Sequence, residues 1–93
     1  MRFEWGERKN KSNFKKHKIW FEEAQTIWAD VKSAEFLDPE HSEDENRFIR
    51  IGFSMSNRIL IVAFCERDEE STVRLISARK ATPKEVKQYE KGI

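Results

Sequence analysis

Four arginines set the chemical question. Arg47 opens one β-rich run, Arg67 closes a second, and Arg74 and Arg79 punctuate a third. A guanidinium is planar, permanently charged and forked, so it grips phosphate oxygens two at a time, and best when a rigid element fixes it. Lysines add cations of a looser kind. Lys9 and Lys16 stand in a lysine-rich stretch and Lys80 follows Arg79; all three can guide a polyanion by charge alone, with binding that weakens as salt rises. Groups able to move a proton are few: His17, His41, Glu66 and Tyr89. Of these only histidine titrates near neutrality unperturbed, and a tyrosine needs nearby cations to lower its pKa. The pattern fits phosphate recognition joined to proton transfer.

Each residue also has a structural reading. His17 at a helix end can complement the helix dipole, Arg47 can bridge to Glu45 or Glu66, and Tyr89 can be a core side chain. His41 lies among Asp38, Glu40, Glu43 and Asp44, but these have no recognisable ligand spacing, so the segment reads as solvated loop and no metal is expected.

The elements that must hold these side chains are legible in the apolar pattern. Ile59 to Cys65 is apolar on both alternating faces, as in a strand covered on both sides, with Glu66 and Arg67 at its end. Asp68 to Ser71 turns the chain and Thr72 to Lys80 returns as the second arm of a hairpin. Arg47 to Ser54 alternates as a strand with one well-covered face, and Met55 to Asn57 links it to the central strand, giving an antiparallel meander. Upstream, Arg2 to Trp5 reads as a short strand. Glu7 to His17 reads as a surface helix with an acid at its start and lysines at its end. Ile19 to Val31 carries Phe21, Ala24, Ile27, Trp28 and Val31 at helical spacing and reads as the main core helix. Ala34 to Leu37 is a candidate edge strand, Asp38 to Asn46 a hydrophilic loop, and Thr82 with Pro83 an N-cap for a short basic helix to Lys91. The expected fold is a single α+β domain over residues 1–93, an antiparallel sheet with two N-terminal helices on one face and a short C-terminal helix.

Composition bounds the function. Ninety-three residues suffice for one core, and hydrophobic and charged residues each make up 38%. Net charge is only +1, yet it is segregated: six Lys or Arg and no acid from Arg8 to Lys18, six acids and no Lys or Arg from Glu35 to Glu45. Such segregation predicts a cationic surface of limited area. Near-zero net charge and the lack of a helix-turn-helix signal argue against direct DNA binding. One cysteine, Cys65, lies in the most apolar strand and reads as a small core residue suited to a reducing compartment. No stretch approaches the roughly 20 apolar residues of a membrane helix and none reads as a signal peptide, so a soluble, cytoplasmic protein is expected.

Three stretches together resemble a known family. Phe3, Glu4 and Trp5, with Lys9, Asn13, Lys16 and His17 and then Phe21, Glu22, Glu23 and Ala24, resemble the opening of the BrnT toxins of bacterial type II toxin–antitoxin systems. His41, Glu45, Arg47 and the Ile51-Gly52 pair resemble the family's middle motif. Glu66 and Arg67, then Arg74, Ile76, Ser77, Ala78, Arg79, Ala81, Thr82, Glu85 and Tyr89, resemble its end. The chain departs from the family where Gly6 replaces an Asp cap, Lys18 a helix-ending glycine and Trp20 a small polar cap. A lysine at position 18 must then adopt a left-handed backbone costing about 1 kcal/mol. The resemblance implies a RelE-like fold, a ribonuclease that blocks translation without a cofactor, an RNA substrate free or on the ribosome, and a small BrnA-like antitoxin through which any DNA contact is made. RNA cleavage of this kind uses the ribose 2′-OH as nucleophile and needs proton transfer and charge stabilisation at phosphorus. Arg67 and Arg79 are the expected phosphate clamps, with a histidine or Tyr89 as proton-transfer group. The competing expectation is a non-catalytic RNA- or protein-binding module whose basic groove receives a partner segment; a metal-dependent hydrolase built on His41 is a more remote one.

Overall fold

The computed structural model describes residues 1–40, 46–67 and 71–92. Strand β1 (Arg2–Glu4) leads into helix α1 (Glu7–His17) and the short helix α2 (Phe21–Ala24), which tightens into a 3-10 turn over Gln25–Ala29. Strands β2 (Ala34–Leu37), β3 (Arg47–Phe53), β4 (Ile59–Arg67) and β5 (Thr72–Lys80) follow, and helix α3 (Pro83–Lys91) ends the chain. They form one five-stranded sheet in the order β1-β5-β4-β3-β2. The α+β class and the meander stand as read, with one correction: the sheet is mixed, because β1 joins the outer edge of β5 in parallel. Among the described residues no helix is long and apolar enough to cross a bilayer.

Alternation along β4 divides the molecule. Leu60, Val62 and Phe64 point to the helices and pack with Ile19, Phe21, Ala24, Ile27, Val73, Leu75 and Ala78 into the core. Ile61, Ala63, Cys65 and Arg67 consequently point to the other face. Gly52 lies opposite Leu60, and a Cβ there would come within 3.0 Å of both Ile27 and Ser33, so only glycine lets the 3-10 turn lie this close to the sheet.

The second helix is shorter than its periodicity predicts. Thr26 Oγ1 donates to the Glu23 carbonyl at 2.6 Å, a side-chain bond that competes with regular helix. The chain leaves the helical path at Asp30, whose carboxylate accepts the Lys32 and Phe53 N–H groups. Val31, expected in the core, is therefore 97% exposed.

The expected weak helix ends are real. Gly6 and Trp20 occupy N-cap positions without a side-chain cap, and Lys18 is left-handed at φ 62°. Two asparagines compensate. Asn10 Oδ1 accepts the Phe21 N–H at 2.7 Å, supplying from α1 the cap that Trp20 cannot give. Asn13 accepts the Ala78 N–H and donates to the Ala78 carbonyl, both at 3.0 Å, and also donates to the Ile19 carbonyl at 2.8 Å. β1 pairs only with Thr72 to Arg74, so this amide stands in for a neighbouring strand further along β5. Asn13→Ala leaves three buried backbone groups without a partner and is expected to destabilise the fold by about 3 kcal/mol, read as a lower urea midpoint.

Candidate functional site

The face of the sheet opposite the core carries the cations. One row across it runs Glu4, Arg74, Cys65, Arg47 through consecutive strand pairings, and the Asp38 N–H, bonded to the Arg47 carbonyl, continues it. A second row pairs Arg79 with Ile61. Arg74 and Arg79 are five residues apart, so a regular strand would put them on opposite faces. A β-bulge prevents this. Ala63 pairs with Ser77 and Phe64 with Leu75, leaving Ile76 as an extra residue that restores Arg79 to the side of Arg74.

Arg47 borders three adjoining depressions of about 290, 270 and 200 Å³. The first extends to Arg79 over a floor of Ile49, Ile61 and Ala63, with Asp38 and Glu40 on its far side. The second reaches α1, where Lys9, Ser12, Lys16 and His17 face Ser77 and Ile76. The third lies between Lys9, Arg67 and Arg74, with Cys65 in its base. Thus Lys9, Lys16, His17, Arg47, Arg67, Arg74 and Arg79 line one continuous trough. Its helical wall exists because Asn13 holds α1 against β5.

Every guanidinium in the trough has a carboxylate beside it. Glu4 takes both Arg67 at 3.2 Å and Arg74 at 3.1 Å, and these contacts, Arg74 first, hold its carboxyl below the usual range. Arg79 makes two parallel bonds to Glu85, at 2.8 and 2.9 Å. That fork, with the Thr82 N–H, lowers Glu85 to about 2 against the opposing effect of burial. Asp38 lies 3.9 Å from Arg47 Nε, beyond hydrogen-bond range, and that Nε is buried with no hydrogen-bond partner among the described residues.

Other candidates fall elsewhere. Tyr89 donates to Asp30 at 2.5 Å and lines none of the three depressions; burial first, then this bond, pushes its hydroxyl up to about 12, opposite to what a proton acceptor needs. Glu66 alternates with Cys65 and Arg67, and Lys80 with Arg79, so both belong to the helix-covered face and not to the trough. His41 and Glu45 lie outside the described residues, and with them the proposed Arg47–Glu45 bridge; among the described residues Asp38 lies beside Arg47. Among the described residues no group of three or more His, Cys, Asp or Glu is placed to hold a metal ion. Nothing in the local sequence pattern marks Glu4 or Asp38 for these roles. For Asn13 a signal existed: asparagines at positions 10 and 13 share one face of a helix with almost no apolar residues, where a buried stripe would otherwise stand.

The architecture is thus a mixed α+β sheet with α2 over the core face, a cationic trough on the other, and α1 at the β5 edge. The chain matches, over residues 5–85, the family described as ribonuclease toxin, BrnT, of type II toxin–antitoxin systems. The crystal structure of the Brucella abortus ribonuclease toxin BrnT superimposes with a TM-score of 0.68 at 23% identity, covering 88% of this chain and 97% of that one. No curated protein sequence matched. This chain belongs to the BrnT family.

The low Glu85 pKa carries a pH signature. Its folded value of about 2 lies below the ordinary 4.5, so the Arg79–Glu85 contact contributes fully above pH 4.5 and is lost as pH falls toward 2. Glu85→Gln is expected to lower the melting temperature at pH 7, with the gap to wild type closing between pH 4.5 and 2.

Proposed function

We propose that this chain is a metal-independent endoribonuclease toxin, acting in the cytoplasm to block translation and held inactive by an antitoxin. The convergence of Arg47, Arg67, Arg74, Arg79 and His17 on one trough carries the reading. In this reaction the ribose 2′-oxygen loses its proton, attacks phosphorus and displaces the 5′-oxygen, which leaves protonated, giving a 2′,3′-cyclic phosphate. His17, beside Arg47 and Lys16, is the proton-transfer group of the described trough. The guanidiniums stabilise the negative charge that builds on the phosphoryl oxygens, by exchanging their carboxylate partners for phosphate. Lys9 and Lys16 draw the strand along α1.

Purified wild type is expected to cleave single-stranded RNA equally with and without chelator. Arg47→Ala is expected to reduce cleavage by about 10²- to 10³-fold, the usual effect of removing one charge-stabilising donor. His17→Ala is expected to reduce cleavage by about 10²-fold or more, the usual effect of removing a proton-transfer group. A folded wild type that leaves RNA intact sinks the enzyme reading. Were it to bind RNA without cutting, the trough would be a recognition module, a reading supported by carboxylates already seated on Arg67, Arg74 and Arg79.

Membership of a toxin–antitoxin family supports a protein partner similar to BrnA, with any DNA contact made through it. Co-expression with the product of the adjoining reading frame is expected to restore growth and yield a complex stable to gel filtration. Failure to associate would remove the antitoxin from the proposal.

A further inference from the structure

The depression between Arg79 and Asp38 has carboxylates, Asp38 and Glu40, in its own lining as well as cations, whereas Glu4 touches the arginines of the third without lining it. A phosphate gains nothing from such walls. A flat ring with donors and acceptors around its rim gains from both, and from the apolar floor of Ile49, Ile61 and Ala63. Its volume of about 290 Å³ sits at the lower limit of small-molecule pockets, enough for one base. Asp38 is only 6% exposed. One of its oxygens, Oδ1, accepts the Glu40 N–H at 3.0 Å, whereas Oδ2 is 3.9 Å from an Arg47 Nε that is itself buried and unpartnered among the described residues. A negative acceptor and a positive donor therefore lie side by side, too far apart to satisfy each other.

We infer that this depression is a nucleobase subsite selective for guanine. Guanine alone presents, on one edge, an acceptor (O6) followed by two adjacent donors (N1–H and N2–H₂). The acceptor matches the Arg47 guanidinium and the donors match the Asp38 carboxylate, with Arg79 near enough to the cavity to meet N7. Adenine, cytosine and uracil each offer the carboxylate a single donor group on that edge. Unstacked bases of single-stranded RNA are read through such edge contacts. The inference rests on the ribonuclease reading, since Arg47 would hold the base and border the phosphate trough at once, and it makes a guanosine the nucleotide beside the scissile bond.

Binding of the four nucleoside 3′-monophosphates to the purified chain by calorimetry tests this apart from catalysis. Guanosine 3′-monophosphate is expected to bind at least about tenfold more tightly than the other three, and D38N to bring the four within about threefold of one another, the range expected of one bidentate base contact. Asp38→Asn keeps the Oδ1 acceptor for the Glu40 N–H, and A63L, which fills the floor without altering charge, should weaken all four. Equal binding of the four by wild type overturns the inference. Mapping cut sites on an RNA of balanced composition separates the two readings: cleavage at every base overturns the guanine subsite and leaves the nuclease standing, whereas guanine-selective binding without cleavage supports the subsite and overturns the nuclease.

Discussion

The free edge of β5 is the constraint on which this molecule turns. β1 covers only Thr72 to Arg74, and beyond it the backbone needs a partner that no strand among the described residues supplies. Asn13 supplies it, closing the Ala78 N–H and carbonyl with one side-chain amide. Because buried backbone groups are costly to leave unpaired, this contact fixes where α1 lies, and α1 lies at the sheet edge instead of over the core. From there Asn10 reaches the start of α2 and orients the helix that does cover the core. The cationic residues of α1 are left facing the opposite side, where the sheet presents its arginines. Core and trough are thus two results of one polar clamp.

Electrostatics within the trough follow from sharing. Like charges brought together on one face repel, and surface ion pairs are individually weak. Glu4 answers two guanidiniums at once, and the Glu85 carboxylate answers Arg79 while also accepting the Thr82 N–H at the start of α3. Such contacts hold long side chains in defined positions while they remain partly solvated; Arg67 is 56% exposed and Arg79 41%. Arg47 is the exception at 22%, the most enclosed of the four and the one with an unsatisfied nitrogen. Its position between the three depressions makes it the natural organiser of whatever binds there.

Much of this was legible in the residues. Ile59 to Cys65 declares a central strand by being apolar at every position, and Thr82-Pro83 declares a capped helix, to which the structure adds the Glu85 arm of a capping box. The chemistry of a guanidinium suffices to group Arg47, Arg67, Arg74 and Arg79 as candidates for one phosphate site. What the pattern could not give was decided by tertiary context. The alternation of Phe3 and Trp5 marks the first strand but not its partner, and the parallel pairing with β5 has no local signal. The helix expected to reach Val31 stops early because Thr26 and Asp30 find better partners than the helical backbone. Tyr89, equally suited by type to proton transfer or packing, is claimed by Asp30, a residue far away in sequence. The grouping of Arg74 with Arg79 depends on an extra residue whose presence no propensity signals.

That extra residue has an evolutionary corollary. Past Ile76 the strand is out of phase with its own beginning, so losing or gaining a single codon between Leu75 and Arg79 exchanges inside for outside in all that follows. Chain length in this stretch, more than residue identity, decides whether the last arginine meets a ligand or the hydrophobic interior. Homologous strands aligned here without a gap could match guanidiniums that never share a surface.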